Sequence, residues 1–354
     1  MHRLLVDHRN ITQTKLEKVD PAPLSTGQAR LKLESFALTA NNVTYAASGF
    51  AIGYWKFFPT GKDGQGLVPV WGVAEVTESA SDDLAVGTRL YGYYPMAEEL
   101  VITPKADAHG SILDAAPHRK DLPLIYNQYV PVQGGSPEQD HLRAILQPLL
   151  ATSYLLFDWL MDNGWFGAEQ IIIGSASSKT GLGLCKYLAE PESPPYKIVG
   201  LTSERNRAFV EGLDACDQVF SYDEVGDLAQ VSSVYVDMAG NTEVKAALHS
   251  HLADHLRHSA AVGLSHWDKF EQSQSLDGPK PVFFFAPAQV AKRREDWGPG
   301  KIEQQIAQAW KRVAADASGW LNVVVHDGIA ASDAVYKSLA DGTANPRDGH
   351  IIRL

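Results

Sequence analysis

Residues 170–189 read QIIIGSASSKTGLGLCKYLA: an apolar run gives way to small polar residues, and apolar residues then resume at helical spacing. This order predicts a β-strand, a tight turn and the N-terminus of an α-helix. Such a turn can bind an anion, because its backbone N–H groups are free and the positive end of the helix dipole faces the ligand. The stretch lacks a strict G-x-G-x-x-G, so a serine-rich turn that binds nothing stays open as the alternative.

A second apolar run over residues 197–201 closes a β-α-β unit of about 30 residues, the size of a dinucleotide-binding half-fold. NAD sites usually place Asp or Glu at the end of this strand to hold the ribose, whereas here residues 202–206 read TSERN. A guanidinium matches a phosphate by two parallel hydrogen bonds, so Arg205 favours NADP over NAD. Arg205 could instead be a solvated residue at a helix start, and Glu204 argues against a phosphate.

We therefore expect a set of cofactor-binding residues around the turn, the end of the second strand and the following strand ends. They are Thr152, Ser175, Ser177, Ser178, Lys179, Thr180, Gly181, Thr202, Ser203, Arg205, Asn206, Tyr222, Gly240 and Gly263.

Composition indicates a soluble enzyme: the chain has 354 residues, of which 45% are hydrophobic and 21% charged, enough for two domains with separate cores. The net charge of -11 repels nucleic acid and anionic membranes. Only two cysteines occur, Cys185 and Cys216, and we interpret both as free thiols in a reducing compartment. We find no signal sequence and expect no apolar stretch of the roughly 20 residues that a membrane span needs. The expected location is the cytoplasm.

Two patterns divide the chain. The first ~105 residues alternate as strands, as in residues 29–36, 72–77 and 88–93, which predicts a β-rich domain. From Leu142 a helical pattern is followed by short apolar runs separated mostly by helices, which predicts an α/β domain with a doubly wound parallel sheet. The predicted strands cover residues 170–173, 197–201, 217–220, 233–237, 259–263 and 282–285. The last ~55 residues carry a helix near residues 302–313, a strand at 321–326, a helix near 330–340 and a strand at 351–354.

Five segments resemble the medium-chain dehydrogenase/reductase superfamily, in its zinc-free branch of quinone-oxidoreductase-like and enoyl-reductase-like proteins. They are LTANNVTY (38–45), VWGVAEV (70–76), VGTRLYG (86–92), DMAG (237–240) and GHIIRL (349–354). The resemblance spans nearly the whole chain and points to a subgroup of unknown function. It implies a GroES-like β-barrel catalytic domain at 1–128, a Rossmann NADP-binding domain at 129–295, and a segment at 296–354 that returns to the catalytic domain.

The chain departs from the superfamily pattern at two places. Ser178 and Lys179 replace its Gly-Gly in the phosphate turn, so side-chain contacts could substitute for close backbone approach. The cysteines and the His-Glu pair of the zinc members are absent, and a catalytic zinc needs about three protein ligands, so we expect no metal. The histidine-rich run at 249–258 would place His251, His255 and His258 on one helical face. We interpret that face as solvated surface.

Three residues are candidates for catalysis. By the resemblance, Tyr45 matches a cleft tyrosine of quinone-oxidoreductase-like proteins and Asn42 the neighbouring polar position. His266 follows a predicted strand, and ligands lie at the carboxyl ends of parallel strands. Tyr45 could equally be a core aromatic, Asn42 a helix cap and His266 an ordinary loop residue. An aromatic wall for a flat substrate is expected from Trp55, Phe57, Phe58, Tyr126, Tyr129 and Trp267.

The sequence thus favours an NADPH-dependent, zinc-independent reductase that transfers hydride to an activated alkene, a quinone or a related carbonyl compound. The alternative is a catalytically silent NADP(H)-binding redox sensor or scaffold, since no acid or base is unmistakable. If the apolar strand at 282–285 is an exposed sheet edge, it would tend to pair with a strand of another chain. We therefore expect a homodimer, as the resemblance also implies.

Overall fold

The structure is a computed structural model that describes residues 1–107, 110–262 and 276–354. It divides into two compact units: Met1–Ile145 with Leu321–Leu354, and Leu146–Trp320. The first part of unit 1 is rich in strands. Its elements are β1 (His2–Asp7), β2 (Thr14–Lys18), β3 (Ala29–Leu38), α1 (Ala40–Ala47), β4 (Gln65–Gly66), β5 (Pro69–Ser79), β6 (Arg89–Pro95), β7 (Glu99–Ile102), β8 (Pro104–Ala106), β9 (Ile112–Asp114) and β10 (Gln128–Pro131).

A long helix, α2 (Pro137–Asp162), follows, with acidic residues in its first turn. Negative side chains there are stabilised by the positive end of the helix dipole. The helix is long and apolar enough to cross a membrane by length and composition, which corrects the expectation that no such stretch exists. However, 61% of its most apolar part is buried inside the protein. Core helices pass the same test, so α2 is weak evidence for a membrane.

Unit 2 alternates strands and helices. Its further elements are β11 (Gln170–Gly174), α3 (Lys179–Leu188), β12 (Lys197–Thr202), α4 (Glu204–Glu211), β13 (Gln218–Ser221), β14 (Ser233–Asp237), α5 (Thr242–Leu252), β15 (Leu256–Ala261), β16 (Val282–Phe283), α6 (Ala286–Trp297) and α7 (Lys301–Ala315). In the described residues the strands form one sheet in the order β13-β12-β11-β14-β15-β16, and every pair is parallel. The apolar runs of β11, β12 and β14 are buried on both faces, as helices covering a parallel sheet require.

The chain then returns to unit 1 through β17 (Asn322–Asp327), α8 (Ala331–Ala340) and β18 (Asp348–Arg353). β18 pairs antiparallel with β3 and parallel with β17, so the C-terminal strands extend the large sheet of unit 1. The core of that unit includes buried residues from both ends of the chain, among them Leu4, Phe36 and Ile352. The unit is therefore closed by residues distant in sequence.

The two units divide the chain differently from the predicted boundaries at 128/129 and 295/296. Residues 129–145 belong to unit 1 because β10 pairs with β6 and β9, and residues 296–320 belong to unit 2. The helix α7 makes its contacts with α6, which explains the second difference. Secondary structure was otherwise predicted closely in unit 2, although β15 starts and ends before its predicted range and β16 is shorter.

Candidate functional site

The turn between β11 and α3 has the geometry of an anion site. Ser175, the first residue after the strand, adopts a left-handed backbone conformation with φ of 54°. Ser178 caps α3, because its hydroxyl accepts a hydrogen bond from the N–H of Gly181 at 3.1 Å. The helix thus begins at Lys179 with its positive end at the turn, as the sequence predicted.

Two glycines of α3 allow close backbone approach. A Cβ on Gly181 would lie 2.6 Å from the carbonyl oxygen of Ser175, and one on Gly183 would lie 2.5 Å from the side chain of Leu150. Either distance is too short for a real Cβ atom. Gly181 therefore holds the turn tightly against the helix start, and Gly183 lets α3 pack against α2. These glycines perform roles that the fingerprint assigns to its own glycines, although the spacing differs.

A hydroxyl network that includes three residues of the predicted cofactor set lies under the turn. Thr202 is fully buried and its hydroxyl hydrogen-bonds the hydroxyl of Ser177 at 3.0 Å. The side-chain amide of Asn206 donates to the same oxygen at 3.3 Å. Thr202 and Ser177 are 0% and 5% exposed, so this network supports the turn from below. Both stay in the predicted cofactor set.

The end of β12 carries a hydroxyl without a partner. Ser203 is the N-cap of α4, yet its Oγ is buried and makes no hydrogen bond to the part of the chain that the structure describes. A buried polar atom without a partner costs free energy, so such atoms often belong to ligand sites. Arg205 lies exposed in the first turn of the same helix. The buried hydroxyl of Ser203 and the positive charge of Arg205 thus both lie just after the end of β12.

Arg207 is the charged residue that the sequence reasoning missed here. Its guanidinium pairs with Glu204, Glu211 and Glu224 at 3.4, 3.2 and 3.0 Å. Spacing of three and four residues on a helix predicts the first two pairs. Glu204, the residue that argued against a phosphate, is therefore paired with Arg207.

Two further predicted residues lie around the same turn. Tyr222 hydrogen-bonds Ser175 and is packed against the apolar core of unit 2. Gly240 has a positive φ of 70°, and its N–H donates to the buried carboxylate of Asp237 at 2.8 Å. Burial raises the pKa of Asp237 above its ordinary value, while the hydrogen bonds from Gly240 and Ala239 lower it by less.

The remaining predicted residues of this set differ in their positions. Lys179 and Thr180 are half-buried in the first turn of α3. Thr152 lies on α2, where its hydroxyl donates to the carbonyl of Pro148 at 3.2 Å. Its neighbour Ser153, which was not predicted, donates to the carbonyl of Thr180 at 2.7 Å and so ties α2 to the turn. Gly263 lies outside the described residues.

In unit 1 the structure assigns Asn42 to a helix cap. Asn42 is 3% exposed, its Oδ1 accepts from the N–H of Thr39 at 2.7 Å, and its Nδ2 donates to the carbonyl of Pro69 at 2.8 Å. These bonds serve the start of α1 and its contact with β5, as the alternative of a helix cap expects. The role of Asn42 in catalysis stays a prediction.

Tyr45 lies one helical turn further on, in what we call the tyrosine cluster: Tyr45, Tyr54, Phe57, Trp71, Tyr93 and Tyr126. Ring centroids within it lie 4.5 Å apart for Tyr45 and Tyr54, and 4.7 Å apart for Tyr93 and Tyr126. The hydroxyls of Tyr54 and Tyr126 are 3.3 Å apart. The cluster combines flat apolar faces with several hydroxyls, and Tyr45, Tyr54, Phe57 and Tyr93 are buried in the core of unit 1.

The Tyr45 oxygen accepts a hydrogen bond from Trp71, whose indole N–H donates to it at 3.2 Å. Because an indole N–H can only donate, the Trp71 bond leaves the hydroxyl proton of Tyr45 uncommitted. Burial raises the pKa of Tyr45 above its ordinary value, so the group stays protonated.

Only some of the residues predicted for the aromatic wall belong to the tyrosine cluster. Phe57 and Tyr126 belong to it, whereas the Trp55 ring packs against His8 and Tyr129 packs against Tyr94. Phe58 lies against Tyr93 at the border of the cluster. The sequence reasoning missed Tyr54, Trp71 and Tyr93. Trp267 and the catalytic candidate His266 lie outside the described residues.

No group of three metal-ligating side chains is found in the described ranges. The histidine-rich run does not form one helical face: α5 ends at Leu252, so His258 lies on β15, where its ring stacks on Phe166 at 4.1 Å. His251 contacts the carbonyl of Leu228 at 2.8 Å. The expected face of three histidines is therefore wrong.

Comparison with solved structures shows the same fold over the full chain. CurA from Vibrio vulnificus in complex with NADPH is 12% identical with a TM-score of 0.65, and covers 100% of this chain and 99% of its own. The YhdH protein of E. coli K-12 with bound NADPH is 14% identical with a TM-score of 0.57, over 99% of each chain. The quinone oxidoreductase from Coxiella burnetii is 15% identical with a TM-score of 0.56, over 100% and 99%.

These likenesses confirm the predicted α/β fold with its parallel sheet. A search of curated proteins found no match in sequence. A family model, by contrast, matches residues 36–345, most of the chain. The chain belongs to the family described as Protein of unknown function (DUF2855).

Proposed function

We propose that this protein is an NADPH-dependent, zinc-independent reductase that transfers hydride to an activated alkene, a quinone or a related carbonyl compound. The observation that carries the proposal is the turn after β11, where a capped helix start faces Ser175 and a Cβ on Gly181 would clash with the backbone. That combination suits a pyrophosphate, which needs both N–H donors and close approach.

NADP fits this site better than NAD. The unpartnered hydroxyl of Ser203 and the exposed guanidinium of Arg205 lie at the strand end that contacts the ribose in dinucleotide folds. In this proposal Ser203, Arg205 and Asn206 bind the 2′-phosphate, and Tyr222 lies near the adenosine. Ser175, Ser178, Lys179, Thr180 and Gly181 surround the pyrophosphate. The bound cofactor would supply the hydride.

Tyr45 is the proposed donor to the substrate oxygen. Its hydroxyl stays protonated, and its bond with Trp71 uses an oxygen lone pair and not the proton. A hydrogen bond to a developing enolate or alkoxide stabilises the transition state more than the ground state. The flat rings of Tyr54 and Tyr126 favour a planar conjugated substrate, and His266 remains a second candidate donor.

The solved structures support the proposal by the names they carry. CurA and YhdH were crystallised with NADPH, and the Coxiella burnetii protein is a quinone oxidoreductase. The net charge of -11 supports a small-molecule substrate rather than nucleic acid. We also propose a cytoplasmic location.

Single-turnover oxidation of bound NADPH, followed by loss of nicotinamide absorbance across a panel of enones and quinones, tests this function. We expect at least one compound to oxidise NADPH faster than buffer alone, and NADH to bind more weakly. Tight binding of NADPH without oxidation by any compound would favour the alternative, a silent NADP(H)-binding sensor or scaffold. Absence of NADPH binding would contradict both.

We further propose a homodimer. β16 is the last strand at one end of the parallel sheet in the described residues, and Val282, Phe283 and Phe285 are 50%, 37% and 41% exposed. An exposed apolar edge of this kind tends to pair with another chain. Light scattering at micromolar concentration should report the mass of a dimer. A monomer would contradict the arrangement.

A further inference from the structure

Unit 1 contains a cavity that the proposed function does not use. Its volume is about 260 Å³. Of the tyrosine cluster only Phe57 lines it, and no described residue of the proposed cofactor set does. Because an apolar cavity of about 150 Å³ can hold benzene, this one has room for one ring with a short polar group.

The wall of the cavity is apolar on one side and open to solvent on another. Phe57, Phe58 and Leu67 line it and are buried in the core of unit 1. Ala22 and Pro59 also line it but are exposed, so they lie at the opening. A ring that enters there can pack against the two phenylalanines.

Arg119 is a buried cation in the same wall. It is 1% exposed, and its guanidinium lies 4.7 Å from the centroid of the Phe58 ring. Its Nε is 3.0 Å from Oδ2 of Asp114 but lacks the alignment of a hydrogen bond. Its Nη1 makes two long hydrogen bonds, at 3.4 Å to Asn127 and 3.3 Å to the hydroxyl of Tyr129. Among the described residues Nη2 has no hydrogen-bond partner, so most of the five N–H donors are unsatisfied.

The two other arginines of the wall are engaged by carboxylates. Arg30 donates to Glu99 at 3.2 Å, and Arg3 donates to Glu17 at 2.8 Å. Their charges are therefore offset by partners that also use their N–H groups. Arg119 differs because its contact with a carboxylate leaves donors over, and a buried donor without a partner costs free energy.

We propose that this cavity is a binding site for a small aromatic carboxylate, whose ring packs on Phe57 and Phe58 and whose oxygens accept from Arg119. Hydrogen bonds between two ionised groups are about twice as strong as neutral ones, and a guanidinium can hold both oxygens of a carboxylate. Asp114 offsets the charge of Arg119, and its Oδ1 already accepts two backbone N–H groups, each at 3.0 Å. The ligand therefore adds to this ion pair without displacing it.

A ligand-observed NMR titration of the full chain with phenylacetate tests the site. We expect a Kd on the order of 1 mM or tighter, in keeping with the size of the ligand. Phenylacetamide has nearly the same shape without the charge and should bind about tenfold more weakly. Acetate, which lacks the ring, should also bind more weakly.

Two variants locate the ligand. Arg119→Lys keeps a cation beside Asp114 and removes the Nη2 donors, so phenylacetate should bind about tenfold more weakly or worse. Ala22→Trp places a ring at the exposed opening and should weaken binding by a similar factor. Ala80→Trp is the matched control, because Ala80 is also an exposed alanine of unit 1 but does not line the cavity. It should bind phenylacetate as the wild type does.

No binding of phenylacetate to the wild type, or equal affinities for phenylacetate and phenylacetamide, would overturn the proposal. Equal affinities of Ala22→Trp and Ala80→Trp would do so too, since the ligand would then lie elsewhere. Those two comparisons decide the matter even if Arg119→Lys does not fold. A titration with NADPH separates this site from the proposed function, because loss of cofactor binding with phenylacetate still bound would leave the cavity site standing.

Discussion

The phosphate turn and the tyrosine cluster are assembled in different ways. The turn and the strand end beside it come from one β-α-β unit, residues 170–206, so neighbours in space are also neighbours in sequence. The residues of the cluster lie on or next to α1, the strands β5 and β6, and two short 3-10 helices, Tyr54–Lys56 and Leu124–Tyr126. They extend in sequence from Tyr45 to Tyr126. Trp71 and Tyr93 meet because they are paired directly across those strands.

This difference explains what each region is suited to do. A turn built from local backbone can be kept by a few small residues, because only N–H groups and space are needed. A cluster built from distant side chains depends on strand register, and a slip of one residue would turn Trp71 and Tyr93 to opposite faces. In the proposed function, the turn would bind a phosphate group that both cofactors share, and the cluster would discriminate among substrates.

The largest expected effect lies in the tyrosine cluster. Replacing Tyr45 by Phe keeps the ring that packs on Tyr54 and removes the hydroxyl whose proton is uncommitted in the bond from Trp71. Loss of one oxyanion donor costs about 10²- to 10³-fold in turnover. NADPH affinity should hardly change. Steady-state kinetics with an identified substrate and an NADPH titration measure the two quantities.

Tyr336→Phe is the matched control, because Tyr336 is also buried in unit 1 and its hydroxyl has no partner among the described residues. It should leave turnover unaltered. If Tyr45→Phe turns over at the wild-type rate, Tyr45 is a packing residue, and His266→Ala becomes the next test of the donor.

The secondary structure around the phosphate turn was easier to predict from the sequence than the contacts within the tyrosine cluster, for a physical reason. Hydrophobic period and capping residues specify β11, Ser178 and α3 within a short stretch, and the structure has them as predicted. Burial was not readable from that pattern, so the position of Thr202 in the interior was not predicted. Trp71 and Tyr93 were missed because their meeting depends on pairing between β5 and β6.

The next effect concerns the strand end after β12. Arg205→Ala should weaken NADPH binding by about tenfold to a hundredfold, because a hydrogen bond to a charged group is worth roughly 1.5 to 3 kcal/mol. NADH has no 2′-phosphate and should respond little. Fluorescence titration with both cofactors gives the ratio.

Arg207→Ala is the contrast two residues away. Arg207 is engaged with three glutamates, so its loss should lower the melting temperature without changing the ratio of the two affinities. Equal losses of NADPH and NADH in Arg205→Ala would mean that Arg205 serves folding or the shared phosphates.

A smaller effect is expected where both cofactors share their contacts. Gly181→Ala places a Cβ 2.6 Å from the carbonyl oxygen of Ser175, so the turn must shift. NADPH and NADH should then weaken together, by about tenfold, which is one lost hydrogen bond to a charged group. Gly226→Ala is the control, since a Cβ there meets nothing within 4 Å. An unchanged affinity in Gly181→Ala would show that the turn does not bind the pyrophosphate.

The smallest effect is on the pH dependence of stability beside the turn. Asp237 lies opposite Gly174 in the pairing of β14 with β11, and burial raises its pKa above the ordinary value of 3.8. The folded state then holds the proton at pH values where the unfolded state has lost it. This contribution to stability is present below 3.8 and is lost as the pH rises through the window up to the raised pKa.

Asp237→Asn keeps an oxygen that can accept from Ala239 and Gly240 but removes the charge. The free energy of unfolding of the variant, relative to the wild type, should therefore rise with pH across that window. Urea unfolding of both proteins at a series of pH values from 4 upward measures this difference. Because the other carboxylates titrate in both proteins, their contributions cancel when the wild-type value is subtracted. A difference that is flat with pH, or that falls, would mean that hydrogen bonds to the charged carboxylate outweigh its burial, and that the turn lies beside a stable anion.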